Sequence, residues 1–498
     1  MSVATLEDNP FKKIPSIKHK CLRINLNNKI YGTFSEIGAG QETVRNFFQA
    51  GGASGTIAKA MSAYDKDFSD AIYGIEDDGR YVTESRLKAM LSSEMKLMED
   101  RISREKNPDK LFFSYANTVA TIDFAKKYKG HGWVGIRFQT SVDQTEYNDI
   151  ILHVRFHEND ARHQQNTLGV LGVNLIYGAY YKFKKPKNLL EYLYDHIDKD
   201  KIEIDTINFS GPDFKEVDNR LMSLQLIKQG MTQAIMFGPE GKNLLPAKIL
   251  YKKNILALRG SFRPVTRVNM EMLNTSLEMF KKQSKVKEDK IEVIFEITLC
   301  NLMAEGEIDE TDFLDRARLL CHLGQTVMIS NFKEYYKLVE YFSNYTKERM
   351  ALTMGVNNLV EIFNEKYYRH LSGGILEAFG KLFFKDLIVY LYPQKNTETN
   401  EMTTSENLIV HPRMKELYKF FKHNRKLKDI TNYNPEITRI FSREVLAKIR
   451  NCETGWEGDL PEGIAEMIKN HKLFDFDYSS ACTVRRDLLK QKNNEPSS

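Results

Sequence analysis

Gly260-Ser261-Phe262-Arg263-Pro264-Val265-Thr266 is the segment of this chain whose residue types and spacing best suit chemistry. It follows the apolar run Ile255–Arg259, which reads as a strand, and precedes a stretch that reads as a helix from near Val268. A glycine and a proline at such a turn let the backbone pass close to a polyphosphate. The first turn of the helix adds unpaired N–H groups and the positive end of its dipole. Arg259 and Arg263 flank the turn and Lys252-Lys253 precede its strand, so the ligand expected there is an anion.

A second glycine-rich pair, Glu36-Ile-Gly38-Ala-Gly40-Gln41 and Gly51-Gly52-Ala-Ser-Gly55-Thr56, also runs into predicted helices. Backbone amides at Gly38, Gly40, Gly52 and Gly55 form a second candidate anion site, against the alternative that these are turns and caps; neither GxGxxG nor GK[ST] occurs. His153, His157, Asp160 and His163 invite a metal reading. On one strand, however, His153 and His157 lie about 13 Å apart, so no metal is assigned. The acidic run Glu305 to Asp312 reads as a solvated helix start, and Tyr177 to Tyr181 as packing. No GxSxG segment supports nucleophilic hydrolysis.

The elements that would position these residues fall into two blocks. Residues 1–203 read as an α+β domain, with helices at 41–50, 56–63 and 83–105 and strands at 132–139, 149–157 and 169–177. Residues 204–393 alternate strand and helix, with strands at 204–209, 234–237, 255–259, 291–299, 326–330, 351–354 and 387–392. The fold class expected is therefore α/β, a mostly parallel sheet with helices on both faces, and periodicity alone leaves an open sheet and a barrel both standing. Strands ending in Ser210-Gly211, Gly238, Gly260-Ser261, Ser330-Asn331 and Gly355 would share the carboxyl rim where ligands bind in open sheets. Residues 394–407 read as a linker or exposed loop, 408–478 as a small helical segment and 479–498 as a flexible tail.

Within 498 residues, 72 basic against 67 acidic side chains give a net charge of +5, too mild to announce nucleic acid or a membrane surface as partner. Five scattered cysteines without CxxC spacing point to reduced thiols. With no signal-peptide core and no 18-residue apolar run, the expectation is a cytoplasmic protein without a membrane partner; the oligomeric state stays open.

GSFRPVTRVN, residues 260–269, resembles the G-[ST]-F-D-P-x-[HT]-x-G-H motif of the nicotinate-nucleotide adenylyltransferases, members of the nucleotidyltransferase superfamily. Gly260, Ser261, Phe262, Pro264 and Thr266 match; Arg263 stands for the family's Asp, Val268 for its Gly and Asn269 for its final His. Met354-Gly355-Val-Asn357-Asn-Leu359 resembles the later G-x-D-x-L motif, with Asn357 for Asp. The likeness spans about residues 255–362, and the whole chain also resembles a soluble bacterial family of similar length commonly labelled adenylyltransferase. It implies ATP or another nucleotide and a phosphorylated small molecule such as nicotinate mononucleotide as partners, with Mg²⁺ as cofactor. It assigns Thr266, Asn269 and Arg263 to catalysis, and Gly260, Ser261, Phe262, Arg259, Gly355 and Asn357 to nucleotide binding. An Asn cannot carry imidazolium charge, so the competing reading is a non-catalytic nucleotide sensor or scaffold. A third reading is an enzyme of another class, with its site between the two large domains.

Overall fold

Six strands form the sheet of the first unit, Met1–Thr232. The computed structural model describes residues 14–77, 79–127, 129–383, 386–395 and 401–477, so the expected tail at 479–498 and part of the expected linker lie outside the described residues. These strands are β1 (Ile30–Gly38), β2 (Ile57–Ala63), β3 (Leu111–Ala120), β4 (His131–Phe138), β5 (Asn148–Phe156) and β6 (Ile202–Ser210). Their order is β2-β1-β3-β4-β5-β6; the first three are parallel and β3 to β6 antiparallel. One face packs Phe34, Phe113, Val134, Ile136 and Leu152 against Leu168, Leu171 and Leu175 of the helix Ala161–Tyr181. The helix Glu84–Arg101 contacts β1, β3 and β4.

Three elements differ from the sequence expectation. The apolar run 169–177, read as a strand, lies in the helix Ala161–Tyr181, which Asp160 caps by accepting the His163 N–H at 3.0 Å. Its residues from Leu168 to Ala179 are almost all buried, so it shows no polar stripe and a short stretch of it looks like an interior strand. Gly172 belongs to a close helix contact: a Cβ there would lie 2.4 Å from Thr43 Oγ1. Conversely, Ile57–Ala63, read as a helix for its Ala, Lys and Met, is a strand whose burial alternates as it pairs in parallel with β1. Finally, 204–209 lies in β6 and pairs with β5, and the chain divides at Thr232/Gln233, not at residue 203.

The second unit, Gln233–Ser498, carries the α/β sheet. Its strands are β7 (Ala234–Phe237), β8 (Asn243–Leu244), β9 (Asn254–Arg259), β10 (Ile291–Thr298), β11 (Thr326–Ser330), β12 (Met350–Gly355) and β13 (Leu387–Tyr392). A two-stranded ribbon follows, β14 (Gln394–Lys395) with β15 (Met402–Thr403), and then β16 (Leu427–Asp429). The main sheet runs β16-β13-β12-β9-β10-β11-β7-β8. It is parallel from β16 to β11 and antiparallel beyond. The order is linear, so the sheet is open, not a barrel. Successive strands leave β9 toward β11 on one side, then resume at β12 on the other, so the order reverses between β9 and β12. That reversal is the topological switch point where open sheets of this kind bind ligands. Among the described residues, no helix is long and apolar enough to cross a membrane. Cys21, Cys300 and Cys321 are free thiols.

Candidate functional site

The Gly260–Thr266 loop leaves the carboxyl end of β9 at this switch point. β9 and β12 pair from Ile255↔Met350 to Leu258↔Thr353, so Gly260 and Gly355 close adjacent strands at the same level. The two sequence-predicted segments are thus brought together. A Cβ on Gly355 would meet nothing within 4 Å, so open space adjoins that strand end, and Asn357 is exposed beyond it.

The loop itself is packed. Pro264, Val265 and Thr266 are buried, and the Arg263-Pro264 peptide is cis. Phe262 turns back with a φ of 46° and sets its ring against Phe295 at a 5.0 Å centroid distance. That ring explains Gly260, since a Cβ there would lie 2.9 Å from it. Phe262 is therefore a packing residue. Thr266 caps the helix Arg267–Lys281, and Asn269 Oδ1 accepts its N–H at 2.9 Å, the two forming a capping box. Two of the three residues that the resemblance makes catalytic, Thr266 and Asn269, thus have structural partners in each other. From the carboxy-terminal segment, Ser442 donates its hydroxyl to the Pro264 carbonyl, and Arg267 donates to Gly458 O at 3.2 Å.

The arginines are matched by carboxylates. Arg259 grips Glu296 through two bonds of 2.8 and 3.0 Å, lies over the Tyr335 ring at 4.2 Å and donates to Lys333 O at 3.1 Å. Glu296 is wholly buried and also accepts from Ser330 at 2.5 Å. Arg263 reaches Asp312 at 2.5 Å and Glu305 at 2.7 Å. Arg316, which sequence reasoning missed, pairs with Asp312 and donates to Ser261 O at 3.2 Å, holding the turn from behind. Three guanidinium groups thus face Glu296, Asp312 and Glu305. Of the acidic run expected to be solvated, Asp312 is buried as a partner of Arg263 and Arg316, Glu305 pairs with Arg263 while staying exposed, and Asp309 caps the helix Glu310–His322. With these carboxylates engaged, the site offers Mg²⁺ no set of protein ligands; among the described residues there is no metal-binding cluster of His, Cys, Asp and Glu.

The second glycine pair separates into two places. Gly38 and Gly40 lie before the helix Glu42–Ala50, whereas Gly52 and Gly55 follow it, about 13 Å of helix away. The four glycines do not form one cradle. Around Gly38 and Gly40 the fold gathers polar groups that the sequence reading passed over. Register aligns Ser62, Glu36 and Asn117 across β2, β1 and β3. Glu36 is buried with one oxygen unpartnered, and burial pushes its carboxyl up to about 8, against the lowering effect of the Val44 N–H bond. Gln41 bridges Gly38 O at 2.5 Å and Ser62 Oγ at 2.6 Å. The signal was available: an acid inside the apolar strand 30–38.

The histidines likewise take structural partners. His153 bonds Asp205 at 2.7 Å and His131 at 3.3 Å, and Asp160 is a helix cap.

Neither a family model nor a curated protein matches the chain. Among solved structures, it is similar to a competence-damaged protein (CinA) superfamily protein from Enterobacter cloacae, at 12% identity over 36% of this chain and 98% of that one, with a TM-score of 0.24. It is also similar to the competence/damage inducible protein CihA from Agrobacterium tumefaciens, at 12% identity over 37% and 100%, with a TM-score of 0.23. Likeness at this level leaves function to be argued from the residues.

Proposed function

We propose that the second unit binds a nucleotide or another phosphorylated small molecule at the carboxyl ends of β9 and β12, and holds it without transferring an adenylyl group. The observation that carries this reading is the meeting of Gly260 and Gly355 at the switch point, beside open space. Binding without transfer is favoured by the state of the matching side chains. Thr266 and Asn269 cap a helix, Arg263 is held by Asp312 and Glu305, and no imidazole stands in the loop. Adenylyl transfer depends on positioned positive charge around the reacting phosphate, which three arginines already paired with three carboxylates supply poorly. Mg²⁺ would arrive as the counter-ion of the nucleotide.

The test is titration calorimetry with ATP and with nicotinate mononucleotide, each with Mg²⁺, alongside an assay for diphosphate release. Saturable binding without diphosphate release is expected. Gly355→Leu should weaken it about tenfold or more at an unchanged melting temperature, because the new side chain enters open space. Absence of binding by both ligands removes this reading. Diphosphate release lost in Gly355→Leu replaces it with a working transferase.

A further inference from the structure

On one face of its sheet, from the amino-terminal ends of β12 and β13 to their middle, the second unit gathers hydrogen-bond donors that lack acceptors. Register pairs Tyr390 with Thr353 on one side and Lys428 on the other, so these three side chains leave the sheet on one face. Gln283, just past the helix Arg267–Lys281, accepts through Oε1 from Lys428 at 3.2 Å and from Arg349 at 3.4 Å, drawing two cations to one oxygen. Among the described residues, the carboxylate that pairs with this group is Asp386, and it is already shared. Arg349 Nη2 lies 2.9 and 3.0 Å from its two oxygens and Lys285 lies 3.2 Å away.

The hydroxyl of Thr353, 1% exposed, and the buried Nε of Arg349 have no hydrogen-bond partner, and the hydroxyl of Tyr390, 0% exposed, has Gln283 beside it. Tyr390 lies close enough to Gln283 and Arg349 to feel both. Lys428 is pushed below the ordinary lysine value by burial first, then by the charges of Arg349 and Arg425, with no carboxylate acting on it. Four cations, Arg349, Lys428, Arg425 and Lys285, therefore stand against one carboxylate. The inner two are partly buried, the outer two exposed. Unlike the switch-point loop, where Arg259, Arg263 and Arg316 each have an acid, this cluster carries uncompensated charge over a buried floor of donors.

A ligand that satisfies such a group must accept hydrogen bonds without donating them and bring more than one negative charge. We propose that this cluster binds the dianionic phosphate group of a small phosphorylated metabolite or free phosphate. Lys428 and Arg349 Nε engage its oxygens, Tyr390 donates from the sheet, and Arg425 and Lys285 form the rim.

The experiment is titration of the full chain, in phosphate-free buffer, with inorganic phosphate, glycerol 3-phosphate and succinate. One of the two phosphates should bind with a dissociation constant near or below about 1 mM, the tighter one identifying the source, and succinate should bind more weakly. Lys428→Gln should weaken binding about tenfold or more, and Arg425→Ala and Tyr390→Phe several-fold. Without ligand, Lys428→Gln should melt no lower than the unmodified protein, because it relieves repulsion. ATP should bind Lys428→Gln as it binds the unmodified protein, which separates this cluster from the switch-point site. The proposal is overturned if neither phosphate binds in this range, or if binding survives all three substitutions. It also fails if Lys428→Gln melts lower without ligand, which makes the lysine a structural donor to Gln283, or if an RNA oligonucleotide binds here undisplaced by phosphate.

Discussion

Arg259 offers the sharpest test of whether the switch-point arginines serve the fold or a ligand. Replacing it with Met keeps the aliphatic bulk and removes the two bonds to Glu296, the donation to Lys333 O and the stacking on Tyr335. Glu296, wholly buried, is left with Ser330 as its remaining side-chain donor. Removing one member of a buried ion pair costs about 3–5 kcal/mol, because the stranded charge stays desolvated. At about 2–4 °C per kcal/mol for a unit of this size, melting should fall by roughly 6–20 °C. Removing both charges, as Arg259→Met with Glu296→Met, should recover most of that loss and leave about 1 kcal/mol for the Ser330 hydroxyl. Urea unfolding of both variants reads both quantities. A single variant that loses under about 1 kcal/mol of stability while ligand affinity drops tenfold would refute the argument and return Arg259 to nucleotide binding.

Glu36 gives the first unit a pH-dependent stability of its own. A carboxyl raised from 4.5 to about 8 keeps its proton in the folded state across that window, so stability falls as pH rises through it and levels off above. At about 1.4 kcal/mol per unit the effect is on the order of 5 kcal/mol, and Glu36→Gln should flatten it in unfolding curves from pH 5 to 9. Asn269→Ala removes the acceptor of the Thr266 N–H and should cost about 1 kcal/mol as a lost cap, with nucleotide affinity unchanged; a large loss of affinity at constant stability would make it a ligand contact instead.

What could be read from the sequence follows the range of the forces involved. The strand that leads into GSFRPVT, the helix after it and the strand ending at Gly355 were all legible, because each carries its apolar pattern and its terminating residue within a few positions. Their meeting at one rim followed from strand and helix alternation alone. The run 169–177 failed because a helix buried on every side presents the same apolar letters as an interior strand, and Ile57–Ala63 failed because pairing with β1 outweighed helix-favouring residues. The site residues divide along the same line. A motif specifies which side chains approach the turn, but their partners, Glu296 for Arg259 and Asp312 for Arg263, are 37 and 49 positions away. Whether an arginine is available to a phosphate depends on those partners, so the step from motif to activity needs the tertiary structure even where the motif is plain. The Lys428 cluster shows the converse. Gln283, Arg349, Tyr390 and Lys428 form no motif, and only the sheet register and the end of the helix Arg267–Lys281 bring them together. Among the described residues Asp386 is the carboxylate that pairs with its cations, which is why a surplus of cations in the folded protein points to an anion more directly than the count of arginines in the motif.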